Sequence, residues 1–157
     1  MTSALIRVAK ILKERKITIS TAESCTGGLL AKMLTDIPGA SRYFLLGLVT
    51  YSDEAKRKLL NVKASTLKRY GAVSEETALE MVKGLKKLIG TDICVSITGI
   101  AGPDGGSRKK PVGLVFFGLS VYDKYFNYKK IFRGNRAAIR EKGVNFILNE
   151  ILKRIGG

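Results

Sequence analysis

Three short apolar runs, Ile17–Ser20, Leu45–Tyr51 and Ile93–Thr98, are set apart by segments in which apolar residues recur at helical spacing. This alternation constrains the fold more than any other feature of the chain. Short apolar runs bounded by turn residues suit strands covered on both faces, and the run Leu45–Tyr51 reads as such a buried strand. The segments between them read as helices: Ala4–Arg15 with Leu5, Val8, Ala9, Ile11 and Leu12 on one side, then Gly28–Thr35, broken by Pro38-Gly39-Ala40-Ser41. Ser52 is placed to cap a helix beginning at Asp53, and Ser65 and Ser74 are two further N-cap candidates. The helix after Ser74 carries Leu79, Val82, Leu85 and Leu88 and ends at Gly90. Beyond Pro111 the period changes. Val112–Val121 and Tyr125–Phe132, joined around Tyr122-Asp123-Lys124, predict a β-hairpin, and Arg136–Ile155 predicts a final amphipathic helix. The expected architecture is α/β: a mixed sheet with helices on both faces, closed by a hairpin and a helix.

With 157 residues, the chain is expected to form one domain over positions 1–157. No apolar run approaches the ~20 residues of a membrane span, and the first residues lead into an amphipathic pattern rather than a signal peptide. A cytoplasmic location is expected. The chain has two cysteines, Cys25 and Cys94, and no histidine, which excludes a disulfide framework and the familiar zinc sites. Its 28 basic residues against 13 acidic ones give a formal charge of +15. The basic residues are spread over helix faces and loop tips rather than gathered in one stripe among aromatics. They read mainly as solubility, with a bias toward anionic ligands, and a nucleic-acid partner is not expected.

Three pieces of sequence carry candidate chemistry, and each follows an apolar run. The first is Thr21-Ala22-Glu23-Ser24-Cys25-Thr26-Gly27-Gly28, a strand-to-helix turn. A serine there stands near the free N–H groups of a new helix, which favour developing negative charge. Without histidine no Ser-His-Asp triad can form, and lysine is the obvious substitute base. Ser24 is thus a candidate nucleophile, against the plainer reading of a buried small residue or a helix N-cap. Glu23 reads as a partner charge or a surface carboxylate, Thr26 as a hydroxyl cap, and Cys25 as a small buried apolar group.

The second piece is Tyr51 with Lys56. A helix starting at Asp53 lets Lys56 fold back toward the strand end, although most lysines in such a basic run are solvated. The third is the glycine loop Gly99–Ser107, whose backbone suits a phosphate and which has Arg108-Lys109-Lys110 at its edge. It lacks the spacing of a P-loop. In an open α/β sheet, ligands sit outside the carboxyl ends of parallel strands, so all three pieces are expected to line one crevice.

Taken together, Ala22–Gly28, Val49–Lys56, Gly71-Ala72-Val73-Ser74, Ser96–Ser107 and Lys110-Pro111-Val112-Gly113 strongly resemble the CinA C-terminal domain family over essentially the whole chain. The enzymatic members are the nicotinamide-nucleotide amidases. The larger members carry a molybdopterin-binding-like domain, and this chain looks like the stand-alone form. The resemblance implies hydrolysis of nicotinamide mononucleotide to nicotinic acid mononucleotide and ammonia, in pyridine nucleotide salvage, with no metal or redox cofactor. It places the nucleophile on Ser24, the lysine and tyrosine on Lys56 and Tyr51, and a further site position on Thr98. Lys56 would take the serine proton, Tyr51 would relay or orient, and N–H groups around Thr26 and Gly27 would hold the oxyanion. The phosphate would go to the glycine loop, at Gly99, Gly102, Gly105 and Gly106, or to Arg136. Where family members commonly read Gly-Asp-Arg before the last helix, this chain reads Gly134-Asn135-Arg136. A catalytically silent nucleotide-binding domain of the same fold, or a basic nucleic-acid-binding module, is the alternative reading. The protein is expected to form a homo-oligomer, a dimer as best guess, and to use no membrane.

Overall fold

The structure, a computed structural model, describes residues 2–156. Its five strands are β1 (Ile19–Glu23), β2 (Phe44–Val49), β3 (Ile93–Gly99), β4 (Leu114–Val121) and β5 (Lys124–Ile131), in one sheet ordered β2-β1-β3-β4-β5. Strand β1 runs parallel to both β2 and β3, while β4 runs antiparallel to its two neighbours, β3 and β5. The sheet is therefore mixed, as the change of period past Pro111 predicts. Six helices cover it: α1 (Ser3–Arg15), α2 (Leu29–Thr35), α3 (Asp53–Leu60), α4 (Ala64–Tyr70), α5 (Glu75–Ile89) and α6 (Arg136–Ile155).

The apolar residues sort the helices between two faces. Leu5, Val8 and Leu12 of α1, Leu30 and Leu34 of α2, and Val144, Ile147 and Ile151 of α6 pack with Val95, Phe117 and Leu119 of the sheet. On the other face, Leu60 of α3 and Met81, Val82 and Leu85 of α5 pack with Ala22 and Cys94. All five residues of β1 and all eight of β4 are buried, because helices lie on both sides.

Two expectations need correction. The run around Leu45–Tyr51 is an edge strand rather than a buried one. Its burial alternates, with Leu46 and Leu48 against the α3/α5 side and Leu45 and Val49 half exposed. Position in the sheet, which periodicity does not report, decides this. Ser65 is not an N-cap; it lies inside α4, which begins at Ala64 after Lys63 and has no side-chain cap. Ser52 and Ser74 do cap, accepting from Ala55 N and Thr77 N.

Helix α3 comes unusually close to α5 at Gly84. A Cβ built there would lie 1.9 Å from the Leu60 carbonyl oxygen, so only glycine allows the contact. Gly84→Ala gains helix propensity worth about 1 kcal/mol, but forces the backbones apart. A net loss of about 2 kcal/mol or more in urea unfolding is expected. A stability equal to that of the native protein would show that the two helices are not held at this distance.

Candidate active site

Parallel pairing brings the carboxyl ends of β1, β2 and β3 to one edge of the sheet, with Glu23 level with both Val49 and Ile97. Two backbone bonds continue the ladder past the strands: Ser24 N donates to Ile97 O and Thr50 N to Glu23 O, both at 2.9 Å. Ser24, Thr50 and Thr98 thus emerge side by side, and all three are buried.

The turn after Ser24 is tight. Gly27 N donates to Ser24 O at 3.0 Å and Leu29 N to Thr26 O at 3.1 Å. Gly27 and Gly28 hold φ of +59° and +93°, in the left-handed region where glycine is the natural residue. Neither Ser24 nor Thr26 caps α2. The residue before that helix is Gly28, with no side-chain cap, and the Thr26 hydroxyl is buried without a partner. The capping is done by Glu23. Its fully buried carboxylate accepts from Leu30 N at 2.9 Å and Ala31 N at 3.0 Å, so it is not a surface acid. An anion at the start of a helix meets both its free amides and its dipole.

Lys56 is the decisive residue. It belongs to the first turns of α3 and points inward, only 1% exposed, in contrast to Arg57 and Lys58 beside it. Its Nζ lies 3.1 Å from Ser24 Oγ and donates to Thr50 O at 2.9 Å. No carboxylate pairs with it among the described residues. Burial pushes its pKa below the usual lysine value, with Asp53 opposing only in part. Cys25, next along the chain from Ser24, goes the other way: burial pushes its thiol up to about 12, so it holds its proton. Ser24 therefore faces an amine whose neutral form is favoured by burial, and Cys25 is no competing nucleophile.

A cavity of about 280 Å³ opens over this pair, lined among others by Ser24, Tyr51, Lys56, Thr98, Gly102 and Arg136. Gly99 and Gly105 also line it, whereas Thr26, Gly27 and Gly106 lie outside the lining. Gly106 instead stands where a side chain would meet Val112. Thr98 Oγ1 donates to Ala72 O at 2.8 Å, tying the Gly71–Ser74 connection to the end of β3. Tyr51 is 59% exposed at the cavity mouth, and its hydroxyl accepts from Arg136 Nη2 at 3.0 Å. Arg136 also donates through Nη1 to Gly102 O at 2.8 Å, so it bridges the tyrosine and the glycine loop. The Arg108-Lys109-Lys110 run does not line the cavity, and Lys110 Nζ donates to Tyr70 O instead. Asn135 caps α6, accepting from Ala138 N at 2.9 Å. Asparagine and aspartate serve about equally well as N-caps, so the departure from the common acid preserves the helix start.

Three residues around the site were not assigned to it from the sequence. Ala72 and Val73 reach the cavity from the α4–α5 connection. Arg140, one turn after Arg136 on α6, reaches the carbonyl of Thr26. The four-residue spacing of the two arginines, which puts them on one helix face, was the available signal.

Residues 2–155 match the family described as "CinA C-terminal domain". The chain belongs to the CinA C-terminal domain family. It is 51% identical over 150 residues to a putative competence-damage inducible protein of Caldanaerobacter subterraneus subsp. tengcongensis, covering 96% of this chain and 36% of the relative. It is 47% identical to a CinA-like protein of Thermotoga maritima, with the same coverage of 96% and 36%. The chain thus spans about a third of the length of the curated relatives it matches. Among solved structures, a CinA superfamily protein of Klebsiella pneumoniae superposes with a TM-score of 0.93 at 37% identity, covering 98% of this chain and 96% of that one. A competence/damage inducible protein from Agrobacterium tumefaciens gives 0.92 at 38% identity, covering 98% and 94%. These likenesses span both layers of helices and the whole sheet.

The burial of Lys56 has a consequence for stability. A base whose pKa is lowered on folding releases its proton earlier in the folded than in the unfolded state. Between the two pKa values the unfolded chain binds more protons, so stability rises with pH there; below both, the full penalty of burying the cation is present. Unfolding free energies of the native protein minus those of Lys56→Met should therefore climb as pH rises toward 10.5, by about 1.4 kcal/mol per unit of pKa depression. A pH-independent difference would mean that Lys56 is not desolvated.

Proposed function

We propose that this chain is an amidase that hydrolyses the carboxamide of nicotinamide mononucleotide, releasing ammonia and nicotinic acid mononucleotide. One observation carries the reading: a buried lysine with no carboxylate partner among the described residues, 3.1 Å from a serine at the carboxyl ends of the parallel strands. A lysine held this way serves as a neutral base, and a serine at that distance is its natural proton donor. The substrate assignment is supported by the resemblance of Ala22–Gly28, Val49–Lys56 and Ser96–Ser107 to the nicotinamide-nucleotide amidases.

Ser24 Oγ attacks the amide carbon while Lys56 Nζ takes its proton. The oxyanion is received by the backbone N–H of Cys25, a residue that lines the cavity with Ser24 and whose N–H donates to no backbone carbonyl among the described residues. Gly27 N–H is already committed to Ser24 O and does not take part. The residue after a nucleophile on a strand-to-helix turn commonly supplies such a donor, and one donor contributes roughly 3–4 kcal/mol. Collapse of the intermediate breaks the C–N bond, with Lys56 passing its proton to the departing nitrogen to give ammonia. Water then attacks the acyl-serine, Lys56 accepts its proton, and Ser24 is restored as the carboxylate leaves.

Arg136, which lines the cavity and is held at its mouth by Gly102 O and the Tyr51 hydroxyl, receives the phosphate there. Tyr51 orients the substrate from the rim. Its hydroxyl is held by Arg136, so binding of the phosphate and placement of the tyrosine are coupled.

Three variants test the reading by ammonia release, with folding followed by circular dichroism. Ser24→Ala should remain folded and lose at least about 1,000-fold in kcat. Lys56→Arg should be nearly as inactive as Lys56→Ala, because arginine keeps the charge but stays protonated. Near-native turnover by the arginine variant would assign Lys56 to binding instead. Native activity should rise with pH through the lowered pKa of Lys56, since only the neutral amine accepts a proton.

A further inference from the structure

Arg140 lies outside the cavity lining, yet makes two bonds to the turn that follows Ser24. Its Nη2 donates to Thr26 O at 2.7 Å and its Nε to the same oxygen at 3.3 Å. The guanidinium is partly buried and has no carboxylate partner among the described residues. It also fills the space beside Gly27, where a Cβ would come within 3.1 Å of Nη2. An unpaired cation spending its donors on one backbone carbonyl calls for a reason beyond charge balance.

The reason lies in how peptide planes pass orientation along the turn. In a trans peptide the C=O of one residue and the N–H of the next point in opposite directions and move as one rigid unit. Arg140 holds Thr26 C=O from one side while Leu29 N–H holds it from within the turn, and together they set the direction of Gly27 N–H. That N–H donates to Ser24 O at 3.0 Å, and so sets the plane containing Cys25 N–H. Cys25 N–H then points away from the turn, on the side of its own thiol, and Cys25 lines the cavity together with Ser24. Bonds arranged in series also polarise one another, so the guanidinium strengthens the last donor in the chain. The positive charge is felt at Cys25 itself, where it acts against the rise in the thiol pKa.

We infer that Arg140 is a positioning residue, which works through the Thr26–Gly27 and Ser24–Cys25 peptide planes to aim and polarise Cys25 N–H as the oxyanion donor. The inference rests on Ser24 being the nucleophile. It assigns Arg140 no contact with substrate, and so separates it from Arg136 one turn earlier. Arg136 governs binding at the rim, while Arg140 governs the transition state from behind the turn.

The test compares native protein with Arg140→Ala and Arg140→Lys in three measurements. The first is amide hydrogen exchange at Gly27, which needs no activity at all. Exchange should be at least fivefold faster in the alanine variant, and unchanged exchange would overturn the clamp. The second is ammonia release from nicotinamide mononucleotide. Arg140→Ala should lose at least 20-fold in kcat with KM within threefold of native, Arg140→Lys should fall between, and free guanidinium ion should restore part of the alanine variant's rate. A kcat within twofold of native, or a loss seen only in KM, overturns the inference; so does absence of guanidinium rescue in a folded alanine variant. Should Arg140→Ala fail to fold, the lysine variant decides, and native kcat in it overturns the inference.

The third measurement is the rate of labelling of Ser24 by a fluorophosphonate, which needs the nucleophile and the oxyanion site but not the nucleotide. A native protein that is labelled yet releases no ammonia removes the proposed substrate and leaves the positioning role to stand on a labelling rate at least tenfold slower in Arg140→Ala. A native protein that is neither labelled nor active overturns both readings.

Discussion

A single amine buried without a counter-ion organises this molecule. Lys56 sits against Ser24 Oγ and Thr50 O with almost no access to water. Had a carboxylate stood 4 Å away, the attraction would be about 4 kcal/mol at a protein-like dielectric, enough to keep the lysine protonated by several pKa units. The fold avoids that outcome. The nearest buried acid in the chain, Glu23, spends both oxygens on the amides of Leu30 and Ala31, and Asp53 opposes the desolvation only in part. Among the described residues the lysine is thus buried without an ion pair, and the buried carboxylate beside the serine is turned to a helix terminus.

Everything else follows from delivering that amine to that hydroxyl. The lysine arrives on α3, a helix of eight residues capped by Ser52 and seated by Leu60 against α5. The close approach at Gly84 permits this seating. The serine arrives at the end of β1, where its own N–H bonds to β3 and the Glu23 carbonyl before it bonds to Thr50 beyond β2. Helix α6 then braces the assembly from the opposite face, through Arg136 to the glycine loop and Tyr51, and through Arg140 to the turn. Two layers of helices on opposite faces of the sheet thus meet at one edge, which is where open parallel sheets gather their ligands.

The formal charge of +15 is explained only in part by this site. Exposed lysines pair within helices, as in Lys58 with Glu54 and Lys10 with Glu14, and such pairs contribute little to stability. The cavity itself is lined by Lys56 and Arg136 against Asp104, so most of the surplus lies on other parts of the surface.

Much of the architecture could be read from residue order, because it rests on short-range rules. Helical periodicity placed α1, α5 and α6 within a residue or two, hydroxyl caps marked the starts of α3 and α5, and the change of period past Pro111 announced the hairpin. The residues of the site were legible too, as three chemical pieces each following a strand. What the chain order could not convey was which side of a strand or helix faces what. Leu45–Tyr51 looks like a buried strand until the sheet order makes it an edge, and Glu23 looks like a spare carboxylate until the turn folds it under α2. Lys56 and its neighbours Arg57 and Lys58 share one composition, and only the seating of α3 makes one a buried base and leaves the others in water. Sequence by itself determined the elements and the reactive groups, since both depend on local chemistry. Tertiary structure alone decided the protonation behaviour of Lys56 and the aim of the turn, since desolvation and hydrogen-bond direction are set by atoms far apart in the chain.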